Sequence, residues 1–231
     1  MARYALTDIH GCAQTLKAMV LDQLKLKKTD ELYLLGDYVN KGPDSKGVID
    51  FILHLQAQHY QVFCLRGNHD EMLLKASKKG EKALSLTSDE KELTLRSFDV
   101  SHFEQLPEKY RQFIHSLPYY LELPDYMLVH AGFDFHQKDI FKDKDAMLNI
   151  RNYKIDWAKI GDKRLLHGHT PIPLHSIKKD VLHLNPKVNL DAGCVYYRNA
   201  SFGNLVALDL DSNDLYIQPN IDRPYKVERK S

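Results

Sequence analysis

Cysteine is scarce in this 231-residue sequence: Cys12, Cys64 and Cys194 are the only three. Their odd number and wide, motif-free spacing exclude a disulfide framework and a thiolate zinc cage, and suit a reducing compartment. An excess of either charge is also lacking. Lys and Arg total 32 against 31 Asp and Glu, a formal charge of +1, so no basic field points to nucleic acid or to an anionic membrane. Apolar runs never approach the roughly 20 residues that span a bilayer. No hydrophobic targeting segment opens the chain before polar residues intervene, and internal repeats and low-complexity linkers are absent. What remains is a soluble, cytoplasmic protein of one domain, 1–231, long enough to bury a substantial core.

What the chain does have is a recurring phrase: a short apolar run that stops in His, Asp or Asn beside glycine. The stretch Val62 to Glu71, VFCLRGNHDE, is the fullest case, a buried strand ending in the turn Arg66-Gly67-Asn68-His69-Asp70. The run Tyr4 to Thr7 ends in Asp8-Ile9-His10-Gly11, and Glu31 to Leu35 ends in Gly36-Asp37. Tyr126 to Val129 ends in His130-Ala131-Gly132, and Arg164 to Leu166 ends in His167-Gly168-His169-Thr170. Five runs with the same ending predict a metal or phosphate site at the carboxyl ends of sheet strands.

Between the runs, Leu16, Met19, Val20 and Leu24 predict a helix over 13–24, and Val48, Phe51, Ile52 and Leu55 predict another over 45–58 behind Pro43. With a third helix over 71–78 the pattern is βαβαβα, which implies parallel strands. Residues 79–118 break the alternation. Charged at first and then carrying Phe98, Phe103, Leu106, Tyr110, Phe113 and Ile114, they read as a helical insertion beside the site mouth whose face could select substrates. Pro124-Asp125 predicts a tight hairpin. After His169 the runs 174–177, 181–184, 189–190, 203–210 and 215–218 read as strands, and residues after Pro219 as a polar tail. The expected fold is α/β: a four-layer αββα sandwich, with two mixed sheets face to face and helices outside.

Carboxylates, imidazoles and one amide, without thiolate, suit hard or borderline divalent metals. Two such ions held together activate water and clamp phosphate oxygens, which predicts phosphoester hydrolysis.

Asp8-x-His10-Gly11, Gly36-Asp37-Tyr38-Val39-x-x-Gly42, Arg66-Gly67-Asn68-His69-Asp70, His130-Ala131-Gly132 and His167-Gly168-His169-Thr170 together resemble the ordered signature of calcineurin-like metallophosphoesterases. Asn189-Leu-Asp191-Ala-Gly193 resembles the strand motif that follows it. The resemblance is to the phosphoprotein phosphatase branch, bacterial serine/threonine phosphatases above all, with symmetrical diadenosine tetraphosphate hydrolases as relatives.

The resemblance implies two divalent ions, Mn first, with Fe or Zn as alternatives. Asp8 and His10 would hold the first, Asp37 would bridge, and Asn68, His130 and His169 would complete the second. His69 would face the leaving-group oxygen as general acid. Asp70 and His167 would stand behind the ligands, while Lys41, Arg151 and Arg66 would contact phosphate, with Arg66 alternatively bracing its turn. Arg198 is a weaker phosphate contact, and His175 and His183 satisfy local hydrogen bonds. The chain departs from the family at Asn40 and Lys41, where aspartate and arginine are usual. Asn40 can orient His69 but lends it less electrostatic support, and Lys41 lacks the bidentate fork. The implied activity is a protein serine/threonine phosphatase using metal-activated hydroxide on a phosphoprotein or small phosphoester. A symmetrical diadenosine tetraphosphate hydrolase and an inactive metal-binding scaffold are the alternatives, with no nucleic-acid or membrane partner.

Overall fold

The computed structural model describes residues 1–222. Strands β1 (Arg3–Leu6), β2 (Glu31–Leu34) and β3 (Gln61–Cys64) run parallel, with α1 (Ala13–Ala18) and α2 (Ser45–Ala57) as crossovers. The helix predicted over 13–24 continues from α1 as a wider π turn over Met19–Gln23. Asp44 caps α2 by accepting from Gly47 N at 2.7 Å. α3 (Asn68–Lys79) begins earlier than the periodicity predicts, so Asn68 and His69 sit in its first turn.

Helices α4 (Ser88–Phe98) and α5 (Glu108–Ser116) lie within residues 79–118. Their aromatic face lies elsewhere than expected. Phe98, Phe103, Tyr110 and Phe113 are buried in the core formed with α1, α2 and α3, so they present no surface to a substrate.

A second sheet follows: β4 (Tyr120–Glu122), β5 (Tyr126–Val129), β6 (Arg164–His167) and β7 (Lys187–Asn189), in that spatial order. α6 (Lys144–Asn149) lies between β5 and β6. The chain then returns to the first sheet as β8 (Asn204–Asp209) and β9 (Leu215–Pro219), giving the order β3-β2-β1-β8-β9. Each sheet mixes parallel and antiparallel pairs, as β1 shows with parallel β2 and antiparallel β8. The period-2 rule assigns the faces. Leu32 and Leu34 face the helices, while Tyr33 and Leu35 join Leu128, Leu166, Val188 and Leu208 between the sheets. The αββα sandwich is therefore present.

Two expectations need correction. The runs 174–177 and 181–184 are not strands but one helix, α7 (Leu174–Leu182), whose Ile177 and Val181 bury one face at i, i+4. His175 lies in this helix and His183 at its end, where Nδ1 meets the Lys179 carbonyl at 2.7 Å. β3 is an edge strand, with Phe63 exposed and stacked on Tyr33, rather than a buried one. The polar tail lies outside the described residues from 223 on. Before it, buried Asp222 accepts from Thr15 N at 2.9 Å and from Thr15 Oγ1 at 2.6 Å, which ties the chain to α1.

Among the described residues no helix is long and apolar enough to cross a membrane.

Candidate metal centre

The loops leaving β1, β2, β3, β5 and β6 meet at one end of the sandwich. Asp8, His10, Asp37, Asn40, Lys41 and His169 all adopt the left-handed backbone region, which is costly for residues with a Cβ. Such conformations concentrated on one end mean that tight loop packing there outweighs local preference. Two glycines permit the approach: a Cβ at Gly67 would stand 2.2 Å from Asp37 Oδ1, and one at Gly168 would stand 2.1 Å from Asp8 Oδ2.

Asp37 is the shared member. Its Oδ2 lies 3.5 Å from His10 Nε2 and its Oδ1 lies 3.5 Å from His130 Nε2. Asp8 Oδ2 accepts from Thr7 Oγ1 at 2.6 Å and from His169 N at 3.0 Å, which fixes the carboxylate and leaves the buried Oδ1 without a hydrogen-bond partner. Potential ligand atoms of Asp8, Asp37 and His130 fall within 4.8 Å of one another, as do those of His10, Asp37 and His69.

The donor chemistry fits cations. His130 Nδ1 lies 3.0 Å from the Leu35 carbonyl and donates to it, so Nε2 carries a bare lone pair. That lone pair faces Asn68 Oδ1 at 3.0 Å, and His169 Nδ1 faces the same oxygen at 3.0 Å. His10 Nδ1 likewise donates to the Val39 carbonyl at 3.1 Å, which leaves the Nε2 lone pair to meet Lys41 Nζ at 3.0 Å, with Asp37 Oδ2 3.5 Å away. A ring N–H held by a backbone carbonyl is the arrangement that aims a histidine at a metal.

Electrostatics agree. Burial holds His10, His69 and His130 below the ordinary imidazole value, and burial with His130 nearby takes His169 down to about 4. Burial and the negative charge of Asp8 push the Asp37 carboxyl well above the usual carboxylate range. Neutral imidazoles and crowded carboxylates are ligands that a divalent cation would reconcile.

Around this cluster Asp70, fully buried, accepts from Gly67 N at 2.8 Å, Asp37 N at 2.9 Å and Tyr38 N at 3.0 Å, binding two of the loops together. Asn40 Nδ2 reaches the His69 carbonyl at 3.2 Å and His69 Nδ1 at 3.3 Å, while Asn40 Oδ1 meets Thr94 Oγ1 at 3.1 Å. With Nδ2 donating to the His69 carbonyl, the amide turns its second N–H to His69 Nδ1, which accepts. Lys41 Nζ lies 3.0 Å from His10 Nε2.

Arg66 does not point into the site. It donates to Glu71 at 2.8 Å, to the Tyr119 hydroxyl at 3.0 Å and to the His115 carbonyl at 2.7 Å. The phosphate contact expected of it gives way to the bracing alternative. Arg151 is exposed and lines a cleft of about 260 Å³ with His167, Gly168, Thr170, Lys187 and Asn189. Its charge helps lower the His169 value. His167 is held down to about 3 by burial and Lys187, and it stands behind the ligand loops with Nδ1 donating to the Gly168 carbonyl at 3.1 Å. Sequence spacing did not single out Thr7 or Thr94; a threonine directly before Asp8 was the one local signal.

Two mixed sheets bearing Asp, His and Asn at their loop ends define a metal-dependent phosphoester hydrolase. The chain belongs to the calcineurin-like phosphoesterase family, whose model matches residues 1–207. It is 34% identical over 133 residues to a symmetrical bis(5'-nucleosyl)-tetraphosphatase of Pseudomonas fluorescens, covering 57% of this chain and 42% of that protein. The chain thus spans under half the length of that relative. It is 28% identical over 258 residues to an asymmetrical bis(5'-nucleosyl)-tetraphosphatase of Anoxybacillus flavithermus, covering 96% and 95% of the two chains. A protein serine/threonine phosphatase structure from Saccharomyces cerevisiae shares the fold at a TM-score of 0.62 and 17% identity, covering 97% of this chain and 81% of that one.

Proposed function

We propose that the chain hydrolyses phosphoanhydride bonds in bis(5'-nucleosyl) polyphosphates with two divalent cations, Mn first among them. Asp8, His10 and Asp37 hold one cation, and Asp37, Asn68, His130 and His169 hold the other. When bound, the pair supplies an activated water and withdraws charge from phosphate oxygens. Lys41 and Arg151 add positive charge on two sides of the cluster, where phosphate oxygens need neutralising.

The observation that carries this reading over the protein phosphatase is the Asn40–His69 pair. Because Asn40 donates to Nδ1, His69 keeps its proton on Nε2 as a neutral imidazole. Such an N–H orients and hydrogen-bonds a leaving oxygen but gives up its proton poorly. A serine alkoxide, nearly as basic as hydroxide, needs that proton. A nucleoside phosphate, with a second pKa of about 6, departs as an anion without it. The names of the tetraphosphatase relatives support the same substrate class.

The test is a manganese-reconstituted panel of bis(5'-adenosyl) tetraphosphate against a phosphoserine peptide. The expected kcat/KM favours the dinucleotide by about 100-fold or more, given that general-acid help is worth on the order of 10² to 10⁴. Preference for the phosphopeptide would return the assignment to a protein phosphatase.

A further inference from the structure

An exposed aromatic ring stands beside the cluster of candidate ligands. After Asp191 the chain makes an excursion from Gly193 to Gly203 before entering β8, closed by Gly203 N donating to the Gly193 carbonyl at 3.0 Å. Three successive turns build it: Tyr196 N to Gly193 O at 2.8 Å, Asn199 N to Tyr196 O at 3.0 Å, and Phe202 N to Asn199 O at 3.0 Å. Asn220 Nδ2 pins its base through the Cys194 carbonyl at 2.7 Å. With its backbone so occupied, the loop holds Tyr196 in place at 42% exposure, resting on Phe202 with ring centroids 6.3 Å apart. Val195, Tyr196, Tyr197, Arg198 and Asn199 shape a cleft of about 290 Å³ there.

Lys41 connects this ring to the site. Its Nζ lies 5.7 Å from the Tyr196 centroid and 3.0 Å from His10 Nε2. One ammonium therefore stands between the cluster and the π-face, the separation at which a phosphate and the group attached to it would sit. Other aromatics near the cluster are already engaged. Tyr38 is fully buried, its hydroxyl between the Leu65 carbonyl at 2.7 Å and the Leu34 carbonyl at 2.9 Å, and Tyr153 donates to the Ala131 carbonyl under Lys187. The insertion's aromatics face the core.

We infer that Tyr196 is the platform on which a nucleobase of the substrate stacks, so that the 193–203 loop selects nucleoside phosphates over bare ones. The inference rests on the nucleotide reading above and names the contact that recognises the nucleoside. Stacking suits this surface because every base offers a π-face, and removing an aromatic platform weakens binding by about 5- to 150-fold. Tyr196 acts on recognition and takes no part in bond breaking.

The experiment is calorimetric binding of ADP and of inorganic pyrophosphate to the manganese-loaded full chain, comparing wild type, Tyr196→Ala and Tyr196→Phe. ADP affinity should fall by about 5- to 150-fold in Tyr196→Ala while pyrophosphate changes less than about twofold. Tyr196→Phe, which keeps the ring, should bind both as wild type does. Equal losses for both ligands in Tyr196→Ala, unchanged ADP binding in that variant, or wild-type ADP binding no tighter than pyrophosphate would each overturn the platform. Failure of the wild type to hydrolyse the dinucleotide would sink the proposed activity instead, and leaves this binding comparison intact.

Discussion

At the amino-terminal end of β1, Arg3 donates to Asp125 in the β4–β5 turn, both contacts at 2.9 Å, and to Asp211 in the β8–β9 turn at 2.7 and 2.9 Å. At the carboxyl-terminal end of the same strand, Asp8 Oδ1 is buried without a partner, and imidazole lone pairs face oxygens of Asp37 and Asn68. Both ends gather charged residues from both sheets. One end satisfies them internally at the surface and ties the sheets together; the other buries Asp8 and Asp37 against each other, with Asp8 Oδ1 unpaired and only Lys41 reaching His10. Residue type alone does not mark a site, whereas an unsatisfied arrangement held by rigid elements does.

Asp37→Asn tests the contrast most severely. It keeps Oδ1 for the His69 N–H, which now donates at 2.9 Å, yet removes the shared charge. Turnover should fall on the order of 10³-fold, the several kcal/mol that metal polarisation supplies. Thermal scans without metal should show a Tm equal to or above wild type, because the variant relieves repulsion with Asp8. A metal-free Tm well below wild type would mean that Asp37 serves the fold rather than a cation.

A smaller effect is expected at the corner of the site. Asn40→Asp replaces a donor to His69 Nδ1 with an acceptor, which allows Nδ1 to hold a proton. The rate on a phosphoserine peptide should rise about tenfold relative to that on p-nitrophenyl phosphate, whose aryl leaving group needs less help. Parallel changes on both substrates would refute this role for Asn40.

Smallest is the opposite end. Arg3→Ala should cost about 1 kcal/mol, because the two carboxylates are half exposed and solvent screens them. For a chain of this length that is a Tm loss of about 2–4 °C, with kcat unchanged. Hydrogen bonding from Arg3 lowers the Asp125 pKa below its ordinary value. Its share of stability is therefore present above the unfolded value of about 3.9 and is lost as pH falls through the lowered folded value. The Tm gap between wild type and Arg3→Ala should close on acidification through that range. A gap that widened there would assign it to something other than the ion pairs.

The polar strand endings were legible because a ligand loop needs its residues beside glycine at fixed local offsets, and Asp8, His10, Asp37, Asn68, His130 and His169 do converge. Arg66 was ambiguous because its partners His115 and Tyr119 come from a distant helix and from the bend that follows it. The four-residue apolar runs around α7 fit strand and helix equally, and burial of Ile177 and Val181 on one face decides for the helix. The insertion's aromatics were assigned to the site because periodicity shows that a face exists without showing which way it turns. Tyr196 escaped notice since its meaning depends on Lys41, brought beside it only by the folded loops.

The claim that this end of the sandwich is completed by two cations is tested most directly by calorimetric titration of the metal-free full chain with Mn²⁺. Wild type should bind two equivalents, and Asp37→Asn should lose at least one while remaining folded. Fewer than two equivalents in wild type, or two retained unchanged in Asp37→Asn, would contradict the shared-carboxylate account.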